Sequence, residues 1–226
     1  MIKTEGIVLS RRNSYNEDVF LTVFTEKYGK MNVVAKRSKS YKSPLNASTR
    51  VFVCSDFIFK PASVPIVLHA DIVQSHLSLL DDLDRIASAA YLCELVNLTT
   101  REEFSEQDIY RLLKDCLSYL CRTEARLTLM RAFFIARLCR ELGVLSTESE
   151  HFSNEIESVL MRHRIVIEDI PRCVRFLHYL IQSELPRLMH AKNDTRLFSE
   201  TVTVCETILR ETLDIPPIKS TRLMDL

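Results

Sequence analysis

Glycine is nearly absent, with only Gly6, Gly29 and Gly143 in a chain of 226 residues. A dinucleotide-binding fingerprint needs three closely spaced glycines, and a P-loop needs two ahead of Lys-Ser/Thr, because backbone must approach phosphate without a Cβ between. The one Gly-Lys pair, Gly29-Lys30, continues into Met31-Asn32. Both nucleotide motifs are excluded. Tryptophan is missing altogether. There is no Cys-x-x-Cys among the seven cysteines (54, 93, 116, 121, 139, 173 and 205), of which Cys116 and Cys121 are the nearest pair. An odd number, scattered through apolar stretches, reads as reduced core thiols in a reducing compartment. No run approaches the roughly 18 apolar residues of a membrane span. The short run Gly6-Ile7-Val8-Leu9 precedes Arg11-Arg12, the reverse of a secretory signal. The expectation is a cytoplasmic protein without a membrane partner.

Net charge is also lacking, since 30 Lys and Arg balance 30 Asp and Glu. The balance is an average over unlike parts. Residues 1–60 hold 11 basic and 5 acidic groups, and residues 61–226 hold 19 and 25. Such asymmetry points to a basic binding surface on the first part. That part reads as β-structure, with apolar and β-branched runs at 2–9, 19–25, 31–35, 51–59 and 66–73. Five short strands must close or cover their edges, and a small barrel does so economically. The fold class expected is α+β: an N-terminal five-stranded OB-like β-barrel (residues 1–76) followed by an all-α helical domain (77–226). Helical periodicity is expected over 83–98, 107–121, 124–142, 153–164, 171–190 and 197–213. Thr123 is the expected N-cap and Gly143 the C-cap of the third, and Pro186 should kink or end the fifth.

Catalytic constellations are not legible. There is no Gly-x-Ser-x-Gly and no His-Glu-x-x-His, and no two of the histidines 69, 76, 151, 163, 178 and 190 stand at i,i+4. Asp81, Asp82 and Asp84 resemble a divalent-cation cluster, but acids at a helix start complement its dipole, which is the reading adopted. The expectation is no enzyme, no metal and no cofactor.

What stands out is a basic run. Lys27, Lys30, Lys36, Arg37, Lys39, Lys42 and Arg50 occur with no acid between them, and Arg11-Arg12 add charge after the first strand. On an OB-like barrel, single-stranded nucleic acid binds across strands and loops of this kind. Phe20, Phe24, Tyr28 and Tyr41 are candidates for base stacking, with the barrel core the favoured place for the first two. A second basic feature lies on segment 124–142, where Arg126, Arg137 and Arg140 fall within about 60° of one another on a helical wheel. Two readings stand side by side: an ordinary polar face, or a site for an acidic partner or a continuing DNA strand.

The order of residues resembles the bacterial recombination mediator family RecO. The resemblance rests on Lys3-Thr4-Glu5-Gly6-Ile7-Val8-Leu9, Leu21-Thr22-Val23-Phe24-Thr25, Tyr28-Gly29-Lys30, Val34-Ala35-Lys36, Asp82-Leu83-Asp84-Arg85 and Ala89-Ala90-Tyr91-Leu92-Cys93-Glu94-Leu95. Ile218-Lys219-Ser220-Thr221-Arg222-Leu223 is similar to the family's tail. The resemblance implies an OB domain on a helical domain in a non-enzymatic protein. Its implied activities are binding single-stranded DNA, annealing strands, and helping to load RecA onto DNA coated by single-strand-binding protein. The implied partners are RecR and the acidic C-terminal tail of that coating protein, and the implied DNA-binding region is loop 36–42 with the Gly29 hairpin. Two departures matter. Residues 143–172 hold none of the four zinc-binding cysteines many relatives carry, so no zinc finger is expected, and loop 39–47 lacks the family's glycines. Beside this reading stands another, an interaction adaptor whose OB domain no longer binds nucleic acid.

Overall fold

Alternation at period two builds the barrel. In β2 (Val19–Thr25), Val19, Leu21 and Val23 are buried while Phe20 is exposed and Thr22 half-buried. The computed structural model describes the chain apart from residues 15, 123–125, 146–151, 189–191 and 224–226 and the side chains of 222 and 223. The other strands are β1 (Ile2–Asn13), β3 (Gly29–Ala35), β4 (Cys54–Lys60) and β5 (Ile66–Gln74). They close in the order β1-β2-β3-β5-β4. Every pairing is antiparallel except β3 with β5, which meet in parallel at Val34 and Ile66. The long β1 serves both sides. Its first half pairs β4 from Ile2↔Phe59 to Ile7↔Cys54, and its second half pairs β2 as far as Asn13↔Val19, past an irregularity between Val8 and Ser10. Val8, Val19, Leu21, Val23, Val33, Phe57, Phe59 and Val67 fill the interior. The expected five-stranded OB-like barrel is present.

Gly6 belongs to this packing. A Cβ there would lie 2.6 Å from Val23 Cγ1, so the strand crossing needs the missing side chain. Gly29 has φ +66° at the β2–β3 turn, the left-handed region that glycine adopts without strain. An added Cβ would collide with the backbone of Phe104.

Helices follow the strands. A short α1 (Leu45–Ser48) interrupts the β3–β4 connection, and a 3-10 turn (Leu77–Asp81) leads into α2 (Leu83–Thr99) and α3 (Gln107–Leu120). Then come α4 (Leu127–Glu141), α5 (Phe152–His163), α6 (Ile170–Gln182), α7 (Leu185–Leu188) and α8 (Thr195–Leu213), with a last 3-10 turn at Ser220–Leu223. The helix expected over 171–190 is divided. Its continuation would set the Pro186 ring against the carbonyl four residues back, that of Gln182, where α6 stops. Thr123 lies outside the described residues. Gly143 sits at φ +70° just past α4, its N–H on Arg140 O, as expected of a C-cap. Asp82 caps α2, accepting from the N–H groups of Asp84 and Arg85. Its carboxylate is used in the fold, and caps of this kind contribute about 1 kcal/mol.

The chain divides into two compact units, Met1–Thr123 with Lys219–Leu226, and Glu124–Ile218. In the first, α3 is tied to the barrel at Glu5. Its Oε1 accepts from Tyr110 Oη at 2.8 Å and from Lys114 Nζ at 2.6 Å. Burial pushes Glu5 up, but these two bonds and the Lys114 charge outweigh it and hold the carboxyl below its ordinary range. The returning tail is fastened to α2, because the Glu94 carboxylate accepts the backbone N–H groups of Lys219 and Ser220 at 2.8 and 2.7 Å. In the second unit, α4 packs on α6 and α8. None of the seven cysteines is in a disulfide; six are buried and Cys121 is half-buried. Burial pushes the thiols of Cys54 and Cys173 up to about 11, so they are neutral and unreactive at physiological pH.

Candidate nucleic-acid interface

Strand register defines two ends of the barrel. Gly6, Thr25 and Gly29 lie together at one, and Asn13, Val19 and Ala35 at the other. Along β3 they are about 20 Å apart, at roughly 3.3 Å per residue. The basic run, continuous in sequence, is therefore divided. Lys27 and Lys30 lie at the turn end, and Lys36, Arg37, Lys39, Lys42 and Arg50 at the loop end. Arg11 and Arg12 join the second group because they pair with Leu21 and Phe20.

The turn end is covered. Residues 101–105 cross the hairpin, with Glu103 N–H donating to Lys30 O and Ser105 Oγ to Glu26 O. Lys30 is the correction here. Only 9% exposed, its ammonium donates to Asn97 O at 2.6 Å and Thr100 O at 2.8 Å, the free carbonyls at the end of α2. A cation at this terminus also meets the negative end of the helix dipole. Burial lowers the Lys30 pKa, against the opposing pull of Glu102 and Glu106. Lys30 is part of the fold's interior, its ammonium committed to two backbone carbonyls. Lys27 and Tyr28 are exposed at this end, the length of β3 away from the loop-end cations, and Lys27 lines a cavity with Lys3, Glu5, Glu26 and Asp56.

The loop end is open. Its glycine-free loop is held by the neighbouring hairpin: Asp18 Oδ1 accepts the Arg37 N–H at 2.8 Å, and the Glu17 backbone carbonyl accepts the Lys39 N–H at 3.0 Å. Asn46 Nδ2 donates to Ser38 O and Lys39 O, and the Ser38 and Thr49 hydroxyls share a bond of 2.5 Å. Ser38 is fully buried in that network. Arg11 reaches the same carbonyl, Nη2 to Ser38 O at 3.1 Å, and its Nε is buried without a hydrogen-bond partner. Burial lowers the Arg11 pKa, and the charge of Arg50 lowers it further. Two guanidiniums so placed favour an anion between or beside them. Around them Arg12, Lys36, Arg37, Lys39, Lys42 and Arg50 are exposed, with Glu17 and Asp18 the acids of the adjoining hairpin. Tyr41 is 84% exposed and carries the Lys42 ammonium 5.7 Å from its ring centroid.

Of the two aromatics for which the core is favoured, one is there and one is not. Phe24 is buried as expected, packed on Tyr110 at 5.9 Å. Phe20 is not core: it is 45% exposed on the outside of the barrel, between its register partners Arg12 and Val34. Strand parity carries the signal, since Val19, Leu21 and Val23 face inward and position 20 must face out. Phe24 shares that parity but is roofed by α3.

The three arginines of the second unit all make contacts within it, Arg126 and Arg137 half-buried and Arg140 exposed. Arg137 Nη1 donates to Ile181 O and Ser183 O at 3.2 and 3.1 Å, and Arg140 Nη1 to Ile181 O at 3.2 Å. Both take the terminal carbonyls of α6. Arg126 lies over the Phe198 ring at 5.5 Å and donates to Asn193 Oδ1. Of the two readings offered for these arginines, capping and stacking within the unit describe the contacts they make. Among the described residues no group of three His, Cys, Asp or Glu side chains is placed to hold a metal ion, and no helix is long and apolar enough to cross a membrane.

Comparison with known proteins matches two successive stretches of the chain. The family model described as "Recombination protein O N terminal" matches residues 1–75, and "Recombination protein O C terminal" matches residues 80–153. The chain is 31% identical over 211 residues to a protein of Alkaliphilus metalliredigens named "DNA repair protein RecO", with 85% of each chain covered. A protein of the same name from Acetivibrio thermocellus is 24% identical over 231 residues, covering 94% of this chain and 92% of that one. One from Clostridium perfringens is 32% identical over 126 residues, 55% of this chain and 51% of that one.

Proposed function

The chain belongs to the recombination protein O family, and on that premise we propose that its barrel binds single-stranded DNA at the loop end and brings complementary strands together. Family membership makes it a non-enzymatic mediator of DNA repair and recombination. The observation that carries the finer reading is the open loop end, where Arg12, Lys36, Arg37, Lys39, Lys42 and Arg50 are exposed around Arg11. Two DNA strands are polyanions whose repulsion opposes annealing, and a cationic surface between them reduces it. In the same reading the protein acts in the bacterial cytoplasm at the nucleoid. It works with RecR and with the C-terminal tail of single-strand-binding protein, and helps RecA onto DNA coated by that protein.

Fluorescence anisotropy of a labelled oligonucleotide against salt is the test. Affinity should fall steeply as salt rises, with a log–log slope of about −0.7 for each phosphate neutralised on a single strand. Replacing Lys36, Arg37, Lys39 and Lys42 by Ala should flatten that slope by up to about 3 and leave the thermal transition unchanged. A wild-type protein that fails to bind at low salt, or binds with no salt dependence, overturns the proposal. A partner complex that survives the quadruple change and ignores added DNA supports the adaptor reading instead.

A further inference from the structure

Phe20 has no role in the barrel's interior, and its surroundings point to a ligand. It stands in the middle of β2, with Val19 and Leu21 buried on either side of it in the chain. Across the sheet its register partners are Arg12 on β1 and Val34 on β3, exposed and half-buried respectively. Lys36 and Arg37 begin two residues beyond Val34, at the same end of the barrel. On the side toward the turn end the next row, Ser10-Thr22-Asn32, is a chain of hydrogen bonds ending on a carboxylate, with Asn32 Nδ2 donating to Glu102 Oε1 at 2.7 Å. An aromatic face is thus bordered by cations on one side and by a polar row leading to an acid on the other.

We propose that Phe20 is a stacking platform for one unpaired base, and that it makes the interface selective for single-stranded over duplex nucleic acid. This rests on the nucleic-acid reading above and adds its specificity. A flat apolar ring takes the π-face of any base, so the contact is indifferent to sequence. In a duplex both faces of each base are already stacked, and the ring has nothing to take. Arg12 and the loop cations hold the flanking phosphates, while Glu102 turns the backbone away from the opposite side. The other aromatics do not serve this position: Phe24 is roofed by Tyr110, Tyr28 is at the far end, and Tyr41 is on the loop with Lys42 against it.

The absence of tryptophan makes the test direct. In a Phe20→Trp variant all indole emission comes from this one position. Titration with a single-stranded oligonucleotide should quench it at the concentration where anisotropy saturates. An abasic oligonucleotide of equal length should bind through its phosphates without quenching. Phe20→Ala should weaken binding of the normal oligonucleotide about tenfold, while the abasic strand, the duplex and the salt slope are unaffected. Because Phe20 is on the surface, thermal melting of both variants should match wild type. If wild type binds the oligonucleotide but Phe20→Ala binds it equally and the indole is not quenched, the platform is overturned and the charge-based reading stands. If wild type does not bind at all, both fall. Loss of a protein complex in Phe20→Ala with oligonucleotide binding intact also overturns the platform.

Discussion

The two ends of the barrel carry the same kind of residue to opposite purposes. At the turn end a lysine is sealed under residues 101–105 and gives its protons to the carbonyls of Asn97 and Thr100. At the loop end Lys36, Lys39 and Lys42 are left to solvent. The cations of the second unit repeat the first pattern, as Arg137 and Arg140 close the end of α6. A helix that ends inside a fold leaves carbonyls without partners, and a nearby basic side chain answers them. Positive charge marks a binding surface only where no such carbonyl claims it.

The contrast can be broken from the turn end first. Gly29→Ala combines a left-handed backbone with a collision against Phe104. It should cost about 3 kcal/mol or more in urea unfolding. Its folded fraction should still bind oligonucleotide. Lys30→Met keeps the apolar stem but abandons two carbonyls, and should cost about 1–3 kcal/mol with the salt slope of binding unchanged. A large fall in DNA affinity without loss of stability would erase the distinction between the ends. The smallest effect is on pH. Glu5, whose carboxyl is held below its ordinary range, contributes stability that is complete above that range and is lost as pH falls through the lowered value. The urea midpoint should therefore drop as pH falls below the ordinary carboxylate range, and Glu5→Gln should flatten the drop, by on the order of 1 kcal/mol or less because the group is partly solvated. The turn end then answers to pH and the loop end to salt.

Much of this was legible in sequence. Strand alternation, the turn at Gly29 and the stop at Pro186 are local effects, and local effects are written in neighbouring residues. Asp82 as a cap was readable for the same reason. Lys30 was not, because its partners lie about 70 residues on, at the end of another helix. Arg137 and Arg140 were hidden likewise, by carbonyls about 40 residues away. Phe20 was readable by strand parity, but an aromatic in an apolar strand invites assignment to the core. The loop was legible in charge and not in shape. Its missing glycines are replaced by Asp18, Asn46 and the Ser38–Thr49 hydroxyl pair, whose partners are fixed only once the hairpin and loop meet.

The fastening of the tail at Glu94 has a consequence in polymer physics. Both covalent ends of the second unit, Glu124 and Ile218, lead into the first. When that unit alone unfolds, its chain is a closed loop of about 95 residues instead of a free coil, so long as the tail stays bound. Loop closure of that length removes disorder from the unfolded chain worth about 4–5 kcal/mol in the limit of a permanent link. A pair of backbone bonds to one carboxylate on α2 thus acts as a reversible cross-link, adding to the stability of helices it never touches.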